Sequence, residues 1–210
     1  MTPLTELALH LPRPLFNRHD IVNHMPLKGS HALDGLIKRA IASGEILHVR
    51  KGLYCLSPKF GKTVHPYSMA QRIYGPSYLS LEVALSLHGW IPEAVYTLTS
   101  VCDRKTTDFE TPLGLFTYTR VPQMILFEQV VTLSTLDIPA MVATPLKALC
   151  DYVYVHKKDW KGMSPVMDDL RIEPDRFETL DRTAIEVLMN NYRSQRIQRF
   201  LDGLRKDLTR

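Results

Sequence analysis

The spacing of apolar side chains predicts a helix and a hairpin near the start of the chain. Between Ser30 and Ser43 apolar residues return every three or four positions, which places them on one helix face. They are Leu33, Leu36, Ile37, Ala40 and Ile41. The runs 46–49 and 53–56 are short and strand-like, and the turn between them ends at Gly52, which supplies the positive φ of a tight hairpin.

Capping residues extend this pattern toward the N-terminus. Asn17 is a suitable N-cap for a helix over 18–24, which ends where Pro26 disfavours helix in the preceding residue. Lys28-Gly29 then predicts a turn, and Ser30 caps the amphipathic helix. A short helix over 2–10 precedes both, so the helix that begins at Ser30 is the third. Helix, helix, turn, helix and a basic-tipped hairpin, in that order, predict a winged helix-turn-helix, which is a fold that binds double-stranded DNA.

The remainder of the chain alternates helical and strand-like runs after a connector rich in proline, glycine and lysine, residues 58–66. Predicted strands cover 94–101, 114–121, 127–133 and 138–143, and predicted helices cover 66–74, 80–87 and 145–155. From about Asp159 the chain is helical and charged. We therefore expect an α+β fold with two domains: a winged helix-turn-helix over 1–57, and a mixed α/β domain over 67–210 ending in a basic amphipathic helix.

The positive charge of the chain is concentrated in the predicted winged helix. Residues 1–62 hold nine lysines and arginines against four aspartates and glutamates, a net charge of +5. The other residues hold 17 basic against 18 acidic side chains. A small basic region beside a nearly neutral one is what a module that neutralises phosphates requires.

The candidate DNA-contacting residues follow from helical geometry. With the apolar face of the third helix fixed, His31, Gly35 and Lys38 lie opposite it and Arg39 lies beside them. Arg50 and Lys51 lie at the hairpin tip, where a wing contacts the DNA backbone or the minor groove. The complete predicted set is Asn17, Arg18, Lys28, Ser30, His31, Gly35, Lys38, Arg39, Arg50, Lys51 and Gly52.

A second basic stretch lies at the C-terminal end. Apolar residues of the predicted last helix form a stripe, and Arg193, Arg196 and Arg199 surround it. This helix is interpreted in three ways: a second phosphate-contacting surface, a face for a partner protein, or a docked helix whose basic side is simply solvated.

Motifs for catalysis are missing from the sequence. It has no metal-ligand spacing, no glycine-rich phosphate loop and no nucleophile elbow, so we expect no enzyme activity, no metal and no cofactor. Cys150 lies on an apolar stripe and is interpreted as a buried, inert thiol, and the acidic residues from Asp168 to Asp175 as solvated or capping residues. The three cysteines lie far apart, and neither a secretory signal nor a membrane span is evident, which favours a cytoplasmic protein.

Four segments of the chain, in order, resemble the AbiEi family, the antitoxins of type IV toxin–antitoxin and abortive-infection systems. The segments are Arg50–Tyr54, Tyr78–Gly89, Leu98–Cys102 with Arg104-Lys105, and Ala143–Tyr152. The resemblance spans roughly residues 14–155 and implies a two-domain protein for phage defence. Its winged helix binds promoter inverted repeats and represses its own operon, with His31, Lys38, Arg39, Arg50 and Lys51 carrying operator binding.

The resemblance also implies a role for the C-terminal domain. In this family it counters a nucleotidyltransferase-like toxin encoded in the same operon, generally without a stable complex between the two proteins. Two alternatives stay open at this point: a stand-alone transcriptional regulator whose α+β domain senses a small ligand, and a nucleic-acid-processing enzyme that uses the winged helix for targeting. The enzyme alternative requires a convergent acidic or Cys/His site.

Overall fold

The structure is a computed structural model that describes residues 1–25, 30–93, 95–134 and 138–209. It is an α+β protein. The helices within these ranges are α1 (Pro3–His10), α2 (Arg18–His24), α3 (Ser30–Ala42), α4 (Pro66–Ile73), α5 (Leu81–Leu87), α6 (Pro145–Val155), α7 (Ser164–Leu170), α8 (Asp175–Glu178), α9 (Thr183–Asn191) and α10 (Gln195–Leu208). The strands are β1 (Leu15–Asn17), β2 (Ile46–Arg50), β3 (Leu53–Leu56), β4 (Ser77–Leu79), β5 (Leu98–Cys102), β6 (Thr107–Thr111), β7 (Gly114–Arg120), β8 (Val130–Leu133) and β9 (Ala140–Ala143).

Helices α1 to α3 and a small antiparallel sheet, ordered β1-β3-β2, form the N-terminal unit. The N-cap predicted at Asn17 is confirmed: its side chain accepts hydrogen bonds from the backbone N–H groups of His19 (2.7 Å) and Asp20 (3.0 Å). The carboxylate of Asp20 in turn accepts from the Asn17 N–H at 2.8 Å, which completes a capping box. The turn predicted at Lys28-Gly29 lies outside the described residues, as does the side chain of Ser30.

The sheet of the N-terminal unit is buried on both faces. One face, with Phe16, Tyr54 and Leu56, packs against α1 to α3. The other contributes Val49 and Leu53 to the large core of the remainder of the chain. Because a strand alternates its side chains between faces, a strand with both faces buried is apolar throughout, as β3 is. The N-terminal unit is therefore fixed against the C-terminal part by a shared apolar face, in addition to the connector.

The C-terminal part is built on a six-stranded mixed sheet, ordered β6-β7-β5-β4-β9-β8. The central strands β5 and β7 run parallel, as do β4 and β9, and the other pairs are antiparallel. The predicted strands over 94–101 and 127–133 are wrong at their starts, since β5 begins at Leu98 and β8 at Val130. Strands β1, β4 and β6 are not among those predicted: β1 and β4 have three residues each, and β6 alternates between charged and partly buried positions.

The last two helices close the C-terminal part. Helix α10 buries Ile197, Phe200, Leu201 and Leu204 in the large core, as the predicted apolar stripe requires. Strand β8 forms one edge of the six-stranded sheet, and its residue Val131 is exposed. Within the described ranges, no helix combines the length and the apolar composition that crossing a bilayer requires.

Candidate nucleic-acid interface

Helix α3 presents a cationic face to solvent. Three of the five residues predicted on its apolar side, Leu33, Ile37 and Ala40, are buried in the core of the N-terminal unit. Ile41 is partly buried against this core, whereas Leu36 is half-buried and does not belong to it. The opposite side exposes His31 and Lys38, the latter followed by exposed Arg39. The sequence-predicted residues of this helix thus lie together on one accessible surface.

Gly35 lies between His31 and Lys38 on this face. The structure places the Arg39 side chain next to it: a Cβ on Gly35 would lie 3.4 Å from Arg39 Nη1. The guanidinium therefore lies beside Gly35, one turn of helix before its own position, as helical side chains do. The guanidinium of Arg39 is therefore the cationic group nearest the centre of the face, and it lies against Gly35.

An ion pair between α2 and α3 lies within the same surface. Arg18 Nη1 donates to the carboxylate of Asp34, and this hydrogen bond is the main reason that the pKa of Arg18 is raised. Asp34 is exposed and lies three residues after His31 and four before Lys38, so its charge is on the cationic face. The pairing joins residues 16 apart in sequence on different helices, so helical periodicity alone does not predict it.

The two cations of the hairpin tip have different surroundings. Lys51 is exposed, next to Gly52 with its φ of +77°. Arg50 is half-buried, and its Nε atom is inaccessible to solvent with no hydrogen-bond acceptor among the described residues. Burial raises the pKa of Tyr118 on β7, and the nearby positive charge of Arg50 acts in the opposite direction. Arg50 therefore lies at the junction with the large sheet, and Lys51 is the freer of the two.

The basic residues near the C-terminus are divided in the same way. Arg196 Nε and Arg199 Nη2 both lie 3.4 Å from Asp159 Oδ1, so one carboxylate neutralises part of both charges. Arg193 is exposed beside a small cleft formed with Pro122 and Met124. Of the three readings of α10, the docked helix has direct support from its buried stripe.

A buried polar ring in the C-terminal part is absent from the sequence-based set. Lys147 Nζ donates to Gln123 Oε1 (2.6 Å) and to the Tyr192 hydroxyl (3.2 Å). The Gln123 amide donates to the Tyr78 hydroxyl at 3.0 Å, and the two tyrosine hydroxyls donate to opposite oxygens of Asp151 at 2.9 and 2.6 Å. The ring closes through Asp151 and joins β4, α6 and the segment after α9.

The ring contains two ionisable groups with no exposure to solvent. Burial raises the pKa of Asp151, and Lys147 together with the hydroxyl donors, including Ser80 at 2.7 Å, opposes that shift. Burial lowers the pKa of Lys147, and the charge of Asp151 opposes it. Lys147 and Asp151 are four residues apart, a spacing that places both side chains on one side of α6 and could have indicated the pair. The sequence pattern of this helix was interpreted only as an apolar stripe. Since its polar atoms are bonded to each other, the ring is suited to holding elements together rather than to binding a ligand.

Cys150, His88 and His156 lie in contacts within the fold. Cys150 is fully buried and burial raises the pKa of its thiol well above the ordinary value, which fits the predicted inert role. His88 caps α5 with its backbone and places Nε2 2.9 Å from the Ala143 carbonyl, while His156 lies 3.3 Å from Glu82. No cluster of three or more His, Cys, Asp or Glu side chains suited to a metal occurs in the part of the chain that the structure describes.

Comparison with known proteins adds no assignment. No protein-family model matches this chain, and no curated protein matches it. The function of this chain is therefore inferred from its residues and their geometry.

Proposed function

We propose that the chain is a DNA-binding transcriptional autorepressor whose N-terminal unit is a winged helix-turn-helix. The observation that carries the proposal is the exposed cationic face of α3, formed by His31, Lys38 and Arg39, on a helix whose other side is buried. A helix with its basic side free and its apolar side fixed is suited to lie in a major groove.

The order of elements supports the same proposal. Helices α2 and α3 are followed directly by the β2–β3 hairpin, and β1 adds to β3, which matches a recognition helix followed by a wing. Exposed Lys51 lies at the end of that hairpin, where it would contact a phosphate. Asn17 contributes chiefly as the cap of α2, and Arg18 as the partner of Asp34.

For the C-terminal domain we propose the role that the resemblance implies, an antitoxin that counters a nucleotidyltransferase-like toxin of the same operon. The support for this role is the resemblance of the segments Tyr78–Gly89, Leu98–Cys102 and Ala143–Tyr152. Co-expression with the product of the adjacent gene tests this role, and continued toxicity of a nucleotidyltransferase-like neighbour would contradict it.

The DNA proposal is tested by titrating the full chain against the DNA upstream of its own gene, followed by fluorescence anisotropy at several salt concentrations. The triple variant Lys38→Ala, Arg39→Ala, Lys51→Ala removes three proposed phosphate contacts. The slope of log K against log salt concentration is therefore expected to become shallower by roughly 2.7, about 0.9 for each contact. A matched control removes three exposed cations of the other part of the chain, Lys105, Lys161 and Arg182. Equal slopes for the two variants would contradict the proposed interface.

A further inference from the structure

A cleft at the junction of the two parts of the molecule gathers positive charge. Its volume is about 360 Å³, within the range of small-molecule sites. Three segments line it: residues 12–14 before β1, residues 61–65 of the connector, and Ile138 before β9. The lining includes Arg13, Lys62 and His65, and no acidic residue among those that the structure describes.

Each of the three basic side chains retains a donor for a ligand. Lys62 Nζ donates to the carbonyls of Leu9 and Leu11 at the end of α1, which leaves one of its three N–H bonds. His65 Nδ1 accepts from the Tyr67 N–H at 3.4 Å, so the neutral ring carries its proton on Nε2. Arg13 is exposed and lines the cleft.

The backbone around Arg13 is held in place before any ligand arrives. Arg13 lies between Pro12 and Pro14, whose rings fix their own φ and restrict the residue before each of them. The Pro14 carbonyl accepts from the Leu56 N–H at 2.8 Å, which fastens this segment to β3. A fixed backbone confines the entropy lost on binding to the rotamers of the Arg13 side chain.

Cations from separate segments repel each other when a fold brings them into one cleft. In the C-terminal helices the comparable arginines lie beside carboxylates, as Arg196 and Arg199 do with Asp159. The lining residues of the cleft that the structure describes include no such carboxylate, which favours an anionic ligand as the counter-charge. An arginine fork together with two further N–H donors matches the several oxygens of a phosphate group.

We infer that this cleft binds a small phosphate-bearing anion, with Arg13 and His65 as its principal donors. The site lies at the opposite end of β1 from Asn17 and the hairpin tip, so it is separate from the proposed DNA surface. An occupant would contact the N-terminal unit and the C-terminal part together. Such binding would bring the chain closer to the ligand-sensing regulator than to an autorepressor without an effector.

The test is isothermal titration of the full chain with inorganic pyrophosphate, with citrate as a competing carboxylate. Saturable binding of pyrophosphate is expected, weakened by about tenfold or more in Arg13→Gln, since a charge-assisted hydrogen bond is lost. His65→Asn keeps an N-cap for α4 and removes the Nε2 donor, so binding is expected to fall several-fold, roughly half the effect of Arg13→Gln on a logarithmic scale.

Two control variants separate this cleft from general attraction to positive charge. Arg72→Gln removes an exposed arginine of α4, and Lys161→Ala removes an exposed lysine of the C-terminal part. Both residues lie outside the cleft, so both variants are expected to bind pyrophosphate like the parent chain. The inference would be overturned if Arg13→Gln and Arg72→Gln weakened pyrophosphate binding equally. It would also be overturned if the titration showed no saturable heat, or if citrate bound more tightly than pyrophosphate.

Discussion

The exposed face of α3 and the buried ring around Lys147 place the same kinds of charged side chain in opposite surroundings. On α3, Lys38 and Arg39 lie in solvent, where an isolated charge costs little and is available to a partner. In the ring, Lys147 and Asp151 are without solvent exposure and depend on each other and on two tyrosine hydroxyls. Burial therefore separates charges that serve recognition from charges that serve the fold, and each region predicts a different response to mutation.

The largest effect is expected from Lys147→Met, which removes the cation of the ring and leaves Asp151 without its counter-charge. Loss of one partner from a buried charged pair costs about 3–5 kcal/mol of unfolding free energy. Urea denaturation measures it, and Lys161→Met is the matched control, as an exposed lysine of the same part of the chain. Affinity of the remaining folded protein for upstream DNA is expected to be unchanged. A decrease in unfolding free energy of less than about 1 kcal/mol is what an exposed ion pair contributes, and it would mean that the ring does not stabilise the fold.

Asp151→Asn is expected to alter the pH dependence of stability. Burial already lowers the pKa of Lys147, and the Asp151 charge is the largest factor opposing that shift, so its removal lowers this pKa further. A base whose folded-state pKa is depressed binds fewer protons when folded, so stability is lost as pH falls through the interval below the lysine's ordinary value. The unfolding free energy of Asp151→Asn should thus rise more steeply than that of the parent as the pH increases toward the ordinary lysine pKa of about 10.4. Parallel curves from urea titrations at several pH values would contradict this.

The hairpin tip has one cation in each kind of surroundings: Lys51 is exposed to solvent, and Arg50 is half-buried. Lys51→Ala is expected to weaken DNA binding by about tenfold and to lower the magnitude of the salt slope by about 0.9, the value of one phosphate contact. Arg50→Ala is expected to leave the slope unchanged, because Arg50 is half-buried beside the large sheet. Fluorescence anisotropy titrations of both variants at several salt concentrations measure the two slopes. An equal change of slope in the two variants would place both side chains in the interface.

Local sequence signals predicted most of the N-terminal unit because its elements are fixed by neighbouring residues. The cap at Asn17, the positive φ at Gly52 and the apolar stripe of α3 all depend on contacts within a few positions. The contacts that periodicity did not reveal join distant parts of the chain: Arg18 with Asp34, Arg50 with the Tyr118 strand, and Lys147 with Gln123. These pairings depend on how helices and sheets pack, which a pattern within one element does not contain.

A smaller gain is expected from Asp34→Asn. The substitution removes the acidic group from the cationic face and releases Arg18, so binding to upstream DNA should tighten by about threefold, roughly 0.6 kcal/mol. Unfolding free energy should change by less than about 1 kcal/mol because both partners are largely exposed. Glu6→Gln serves as control, as an exposed acid of α1. Weaker binding that depends on one base pair would instead mean that Asp34 accepts a hydrogen bond from cytosine.

The smallest effect is expected from Arg196→Ala with Arg199→Ala on α10. Both arginines share Asp159, and the apolar side of α10 is buried, so the helix keeps its place without them. Exposed ion pairs contribute about 0–1 kcal/mol, and the double variant should stay within that range in urea denaturation. Its affinity for DNA and its salt slope should match those of the parent chain, because these charges are already partly neutralised within the fold. A salt slope lowered by about two charges would instead add α10 to the nucleic-acid interface and extend that interface beyond the N-terminal unit.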